Sequence, residues 1–277
     1  MSMKRLKRFL AGGVSLLTVL CTACGANNAA PAGPDQTQPF GDLDQILQRG
    51  AINVCSTGDY LPFTYRDSQG EWSGIDVDLA RDLSQRLGAE LNLVPTTWAT
   101  MMEDLSAKCD MAMGGITITL DRAKSALYSN PVVRDGKAAI TRCEDASRYT
   151  DLADIDRPGV RVVVNPGGSN ADFDHEHIRQ AQIVEYPDNK TIFEQLKNDH
   201  ADVMITDVSE IRWQTQRIPD LCAVSIDNPF TFSQKAYLIS PKGSALQQWV
   251  NQWLTIVQND GTFARINEKW GDSVSPP

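Results

Sequence analysis

The chain lacks the usual marks of a serine hydrolase, a nucleotide-dependent enzyme or a metalloenzyme. No G-x-S-x-G elbow, Walker loop or H-E-x-x-H pair occurs, and the spaced glycines of a dinucleotide-binding turn are missing. Histidine is scarce at three residues, and two of these, His175 and His177, stand two apart. On a helix that spacing turns them about 200° from each other, so they cannot chelate one ion. Neither a metal nor an organic cofactor is expected. Positive charge is also short, with 26 Lys and Arg against 35 Asp and Glu, which argues against nucleic acid or anionic lipid headgroups as partners. No apolar run spans a membrane at the N-terminus either: the 12 residues "FLAGGVSLLTVL" are too few.

That run follows Lys4, Arg5, Lys7 and Arg8 and ends in "LCTACG", where small residues lead into Cys24 and Gly25. The order of basic, apolar and small residues predicts a signal peptide over 1–24, and its end resembles the lipobox of bacterial lipoproteins, with Cys24 as the lipidated residue. The expected location is outside the cytoplasm: a lipid-anchored protein on the extracytoplasmic face of the cell membrane or in the periplasm. Residues 25–41, rich in Ala, Pro, Asn and Gly, read as a flexible tether. Without residues 1–23 the charge balance is 22 positive against 35 negative, a net of -13.

From Asp42 onward strands and amphipathic helices alternate. "AINVCS" precedes "GIDVDLARDLSQRLG", with Val77, Leu79, Ala80, Leu83 and Leu87 at helical spacing, and then "LNLVPT". A helix from about Ala99 to Ala107 and the strand "DMAMGG" repeat the unit. A second set runs from "KAAITRC" through "VRVVVN", "AQIVEYP" and "ADVMITD" to "LCAVSI". This alternation predicts an α/β fold of two lobes, each a mostly parallel sheet flanked by helices. One lobe is expected over 42–140 plus 229–277 and the other over 141–228. The C-terminal helix, with Leu246, Trp249, Val250, Trp253, Leu254 and Val257, must dock on a lobe.

Four cysteines remain beyond the leader, in an oxidising compartment. Cys143 follows the first crossing between lobes and Cys222 ends the second lobe, which favours pairing these two. Cys55 and Cys109 stay open between a disulfide and two buried thiols.

Ligands of open α/β sheets bind beyond the C-terminal ends of the strands. The residues there are "TGDYLPF", "TTW", "GGITITLDR", "NPGGSN" and "TD". Arg122 suits a carboxylate clamp, with Ser169 and the N–H groups after Gly168 sharing the anion, and Asp207 suits an ammonium. Tyr60 and Trp98 suit the ligand's body.

These residues resemble the type II periplasmic solute-binding proteins of family 3. The resemblance spans about Asp42 to Gly271. It implies two hinge strands near 138–142 and 227–232, a small amino acid or related carboxylate held between the lobes, and a membrane permease of the ABC type as partner. On it, Gly115, Thr117 and Arg122 hold the ligand carboxylate, Gly168, Ser169 and Asn170 add donors, Asp207 takes the ammonium, and Tyr60, Phe63 and Trp98 form the aromatic wall. Within the family, "STGDYLPFTYR", "YSNPVVRDGKAAI", "YPDNKTIFEQL" and "PFTFSQKAYLI" look like the cyclohexadienyl dehydratase subgroup. That likeness adds support to the Cys143–Cys222 pair. It also implies a glutamate as general acid directly after the glycine turn, where this chain has Ala171. A methyl group donates no proton, so ligand capture leads and dehydration of prephenate or arogenate is the alternative.

Overall fold

The computed structural model describes residues 41–277. The expected leader, Cys24 and all of the tether but Gly41 lie outside the described residues. The strand Ala51–Ser56 sits between Glu90–Pro95 and Met111–Ala112, both parallel to it, and Leu238–Ile239 and Leu127–Tyr128 complete a five-stranded sheet. A second five-stranded sheet has the order Gln182–Glu185, Arg161–Val164, Val203–Asp207, Lys137–Arg142, Leu221–Val224. Its first three strands are parallel and its last two antiparallel to their neighbours.

Alternation along the strands of the second sheet explains its burial on both faces. Ala138, Ile140, Val163 and Met204 pack against the helices Ile192–Lys197 and Val208–Thr215. Ala139, Val162, Val203 and Ile205 face the other way, toward Phe173 and Tyr149. Side chains of a strand point alternately to its two sides, and a parallel sheet needs cover on both. In the first lobe, the helix Ile75–Leu87 buries Val77, Leu79, Ala80, Leu83 and Leu87 as its spacing predicts. The C-terminal helix Ser244–Asn259 docks there through Leu246, Val250, Trp253, Leu254 and Val257. Burying one such large apolar side chain contributes about 1.5–3 kcal/mol.

The helix expected from about Ala99 forms as Met101–Lys108. The chain passes between the sheets as an antiparallel ribbon of Val133–Asp135 and Ser233–Lys235. These crossings stand a few residues from 138–142 and 227–232. The reason is packing: Ala138, Ala139 and Ile140 are fully buried inside the second sheet, where they cannot serve as a connector. Cys143 and Cys222 are joined by a disulfide, and so are Cys55 and Cys109.

The parallel strands of both sheets aim their C-terminal ends at the space between the lobes, which places the loops after Ser56, Pro95, Ala112, Val164, Glu185 and Asp207 around one cleft.

Candidate functional site: a closed inter-lobe cleft

The cleft is lined by Tyr60, Trp98, Gly115 and Thr117 from the first lobe and by Asn165, Gly168, Ser169, Asn170, Asn189 and Asp207 from the second. Contacts across it are direct. The Tyr60 hydroxyl donates to Asp207 Oδ2, Ser169 Oγ lies 3.3 Å from Thr117 Oγ1, and Asn189 Nδ2 donates to the Asp59 carbonyl at 3.1 Å. The lobes are therefore drawn together, leaving about 20 Å³ inside, or about 330 Å³ when space continuous with solvent is included. The smaller figure is about enough for one water, so the lobes as they stand leave little room for a ligand.

Two glycines permit close packing at the cleft, Gly115 within the first lobe and Gly167 across the lobes. Gly115 has φ +67°, and a Cβ there would lie 2.4 Å from the Phe63 ring and 2.8 Å from that of Tyr60. Its N–H donates to Asp76 Oδ2 at 2.6 Å, and the Tyr237 hydroxyl donates to the other oxygen at 2.9 Å. Burial pushes Asp76 up to about 6, against these hydrogen bonds. Gly167, at φ +86°, lies against Ala99 of the opposite lobe, where a Cβ would meet backbone atoms at 3.0 Å. Side chains other than hydrogen are disfavoured in such a backbone.

The electrostatic centre of the cleft is Asp207. Lys137 stands opposite it in the sheet register and donates to Oδ1 at 2.9 Å, while Lys235 from the ribbon reaches Oδ2. Burial alone would raise the Asp207 pKa. The charges of Lys137 and Lys235, with hydrogen bonds from Lys235 and Tyr60, outweigh it and hold the carboxylate well below its usual range. Burial pulls Lys137 down, as does the like charge of Lys235. Lys137 also donates to Ser169 Oγ at 3.2 Å and to Asn170 Oδ1, and Lys235 donates to Thr117 Oγ1 at 2.9 Å. Each lysine thus joins Asp207 to a polar residue of the cleft wall.

Glu210 lies one turn beyond Asp207 on the helix Val208–Thr215. It accepts from Thr206 Oγ1 at 2.6 Å, and Thr206 in turn accepts from Asn170 Nδ2 at 2.9 Å. Burial, reinforced by the charge of Asp207, pushes Glu210 from 4.5 up to about 8. At neutral pH it is mostly a carboxylic acid, two hydrogen bonds behind a cleft residue. Asp174 is likewise buried, with neither carboxyl oxygen hydrogen-bonded, and burial raises it well above the usual range.

Most of the expected site residues meet here. Tyr60, Trp98, Gly115, Thr117, Gly168, Ser169, Asn170 and Asp207 line the cleft, and Phe63 stacks behind Tyr60 at 5.6 Å with Trp98 edge-on at 5.4 Å. Arg122 is set apart: it is not a lining residue, and its guanidinium donates to the Thr117 carbonyl at 3.2 Å. Ala171 is buried on the helix Ser169–His177 and also falls outside the lining. Both oxygens of Asp207, the expected ammonium acceptor, already hold donors. His175 lies 3.4 Å from Glu185 and His177 stacks on Phe173.

Lys137, Lys235, Glu210, Asn165 and Asn189 escaped the sequence reading. A signal was present in "GKAAI" and "QKAYLI", where a lysine opens an apolar strand, and in Glu210 at i+4 from Thr206.

Residues 52–273 match the family model of bacterial extracellular solute-binding proteins, family 3. The cyclohexadienyl dehydratase of Pseudomonas aeruginosa is 44% identical over 229 residues, covering 82% of this chain and 85% of that protein. The L-cystine-binding protein TcyJ of Escherichia coli is 25% identical over 260 residues, covering 94% and 95%. Among solved structures, an ancestral amino acid-binding protein described as a precursor of cyclohexadienyl dehydratase matches with a TM-score of 0.77 at 31% identity, covering 82% of this chain and 98% of that one.

Proposed function

Because this chain belongs to the family 3 bacterial extracellular solute-binding proteins, we propose that its ligand site is the inter-lobe cleft and that the cleft works as a cyclohexadienyl dehydratase on prephenate and arogenate. The observation that carries this reading is the buried Glu210, joined through Thr206 to Asn170 of the cleft wall, with burial pushing its carboxyl up to about 8. In the reaction the ring carboxylate leaves as CO2, its bonding electrons enter the ring, and the C–O bond to the ring hydroxyl breaks. That hydroxyl needs one proton to leave as water. For Glu210 to supply it, the Thr206 hydroxyl turns so that it accepts from the Glu210 acid and donates toward the cleft instead of donating to Glu210 and accepting from Asn170, and Glu210 then regains a proton from solvent after release. A general acid of this kind contributes about 10²–10⁴ in rate.

Charge supports the same substrate class. Lys137 and Lys235 stand behind the lining and set two positive charges against Asp207, and a ligand carboxylate is met directly by Thr117, Ser169 and Asn170. Tyr60 and Trp98 offer aromatic faces to its ring. Ala171 offers no proton, and Glu210 is the acid to which this reading assigns the task.

A second reading, capture of an amino acid for delivery to a membrane permease, is favoured by the amino acid-binding character of the ancestral relative. We further propose that Cys24 carries the lipid anchor and that the protein acts on the extracytoplasmic face or in the periplasm. Incubating the mature protein with prephenate and, separately, arogenate while following phenylpyruvate and phenylalanine decides between the two readings. Turnover supports the dehydratase; a stabilising amino acid ligand with no turnover supports the binding protein.

A further inference from the structure

Behind the inter-lobe ribbon, on the face away from the cleft, lies a cavity of about 440 Å³. Its size falls within the range of small-molecule sites. Its walls come from the ribbon, from the helix Val208–Thr215, from the returning segment Ile226–Phe232 and from the C-terminal residues Ser273 and Ser275. The last segment is fixed by the Arg134 N–H donating to the Ser275 carbonyl at 3.0 Å.

Two arginines face this space. Arg212 donates to Ser275 Oγ at 3.1 Å, and the Arg134 guanidinium lies 5.5 Å from the Phe232 ring centre. Neither is paired with a carboxylate among the described residues, although acids outnumber bases in the chain and two acids line the same cavity. One of those, Asp135, is turned inward: Ser209 Oγ donates to it at 2.5 Å and the Gly136 N–H at 2.9 Å. The other, Asp227, is exposed and has no partner among the described residues. Phe232 is 67% exposed, and Ile226, Pro229 and Val208 extend the apolar surface beside it. With Arg134 lying over the Phe232 ring and Arg212 on the same cavity, two guanidinium groups without a carboxylate partner adjoin an apolar wall, which suits an anion with an apolar body.

We propose that this cavity is a second binding site, for an α-amino acid with an apolar or aromatic side chain. Its carboxylate pairs with Arg134 and Arg212, its ammonium with Asp227, and its side chain covers Phe232 and Ile226. The site does not depend on which reaction the cleft performs. Its wall residue Asp135 lies 4.0 Å from Lys235 Nζ, and Lys235 holds Asp207 of the cleft.

The test is a 19F NMR titration of 4-fluoro-L-phenylalanine into the full mature chain and into the Arg134→Ala/Arg212→Ala variant. The wild type is expected to show a saturable component that weakens at least tenfold in the double variant, equivalent to about 1.4 kcal/mol. Phe232→Ala, at an exposed position that folding does not need, should weaken the same component. 4-Fluorophenylpyruvate, which lacks the ammonium, should bind it less well than the amino acid. Absence of any saturable component up to about 10 mM, or equal binding by wild type and the arginine variant, overturns the proposal.

Discussion

Replacing Glu210 by Gln separates what this residue does for the reaction from what it costs the fold. The carboxyl is nearly isosteric with the amide, and the hydrogen bond from Thr206 at 2.6 Å can be retained. The folded pKa is raised from 4.5 to about 8, so between these values the folded protein holds a proton that the unfolded chain has released. Stability therefore falls as pH climbs through this window and levels off above it. At pH 7 the loss in the wild type reaches at most about 3 kcal/mol, from about 1.4 kcal/mol per pKa unit. Gln carries no such term. An amide hydrogen left unsatisfied costs about 1–3 kcal/mol, but equally at every pH. Thermal melts of both proteins from pH 4.5 to 7 should show Glu210→Gln gaining on the wild type as pH rises, by roughly 6–12 °C in total. The dehydratase rate should fall by about 10²–10⁴. A melting difference that stays constant across this range would mean that Glu210 is ionised in the fold, and the assignment of the acid would fail with it.

Three further outcomes follow from the same geometry. Asp207→Asn leaves two buried lysines short of their main counter-charge and should lower stability by about 3–5 kcal/mol in urea titrations near pH 7. Because the folded pKa of Asp207 is depressed, its contribution is present above the unfolded carboxylate range and lost as pH falls below it, so wild type and variant should converge in acid. Opening the disulfide with Cys143→Ser/Cys222→Ser frees a loop of 79 residues and should cost about 4 kcal/mol by denaturant titration, if chain entropy dominates. Gly115→Ala forces a Cβ into the Phe63 ring from a positive-φ backbone and should weaken ligand binding while costing about 1–3 kcal/mol of stability.

The architecture was legible because apolar spacing reports it directly. Helical spacing of Val77, Leu79, Ala80, Leu83 and Leu87 and the strand runs "VRVVVN" and "ADVMITD" have one reading each, and loops after strands then fall around one cleft. The electrostatic heart of the cleft was not legible. Lysines are exposed by default, so Lys137 and Lys235 become visible only when the sheet register and the ribbon bring both to Asp207. Glu210, third in its helix, looks in sequence like any acid favoured at a helix start. Its burial, which gives it a proton at neutral pH, is a property of the packed lobes. Arg122 stands outside the lining and gives one of its five N–H donors to the Thr117 carbonyl. Ala171 is buried on its helix, while the cleft is lined by Gly168, Ser169 and Asn170 and backed by Glu210.

The most direct test of the central claim is the initial rate of phenylpyruvate formation from prephenate at pH 7 by the wild type and by Glu210→Gln. The account predicts turnover on the order of 1 s⁻¹ or faster in the wild type, reduced by about 10²–10⁴ in the variant. Wild-type protein that binds an amino acid tightly but forms no phenylpyruvate, or a variant as fast as the wild type, would contradict it.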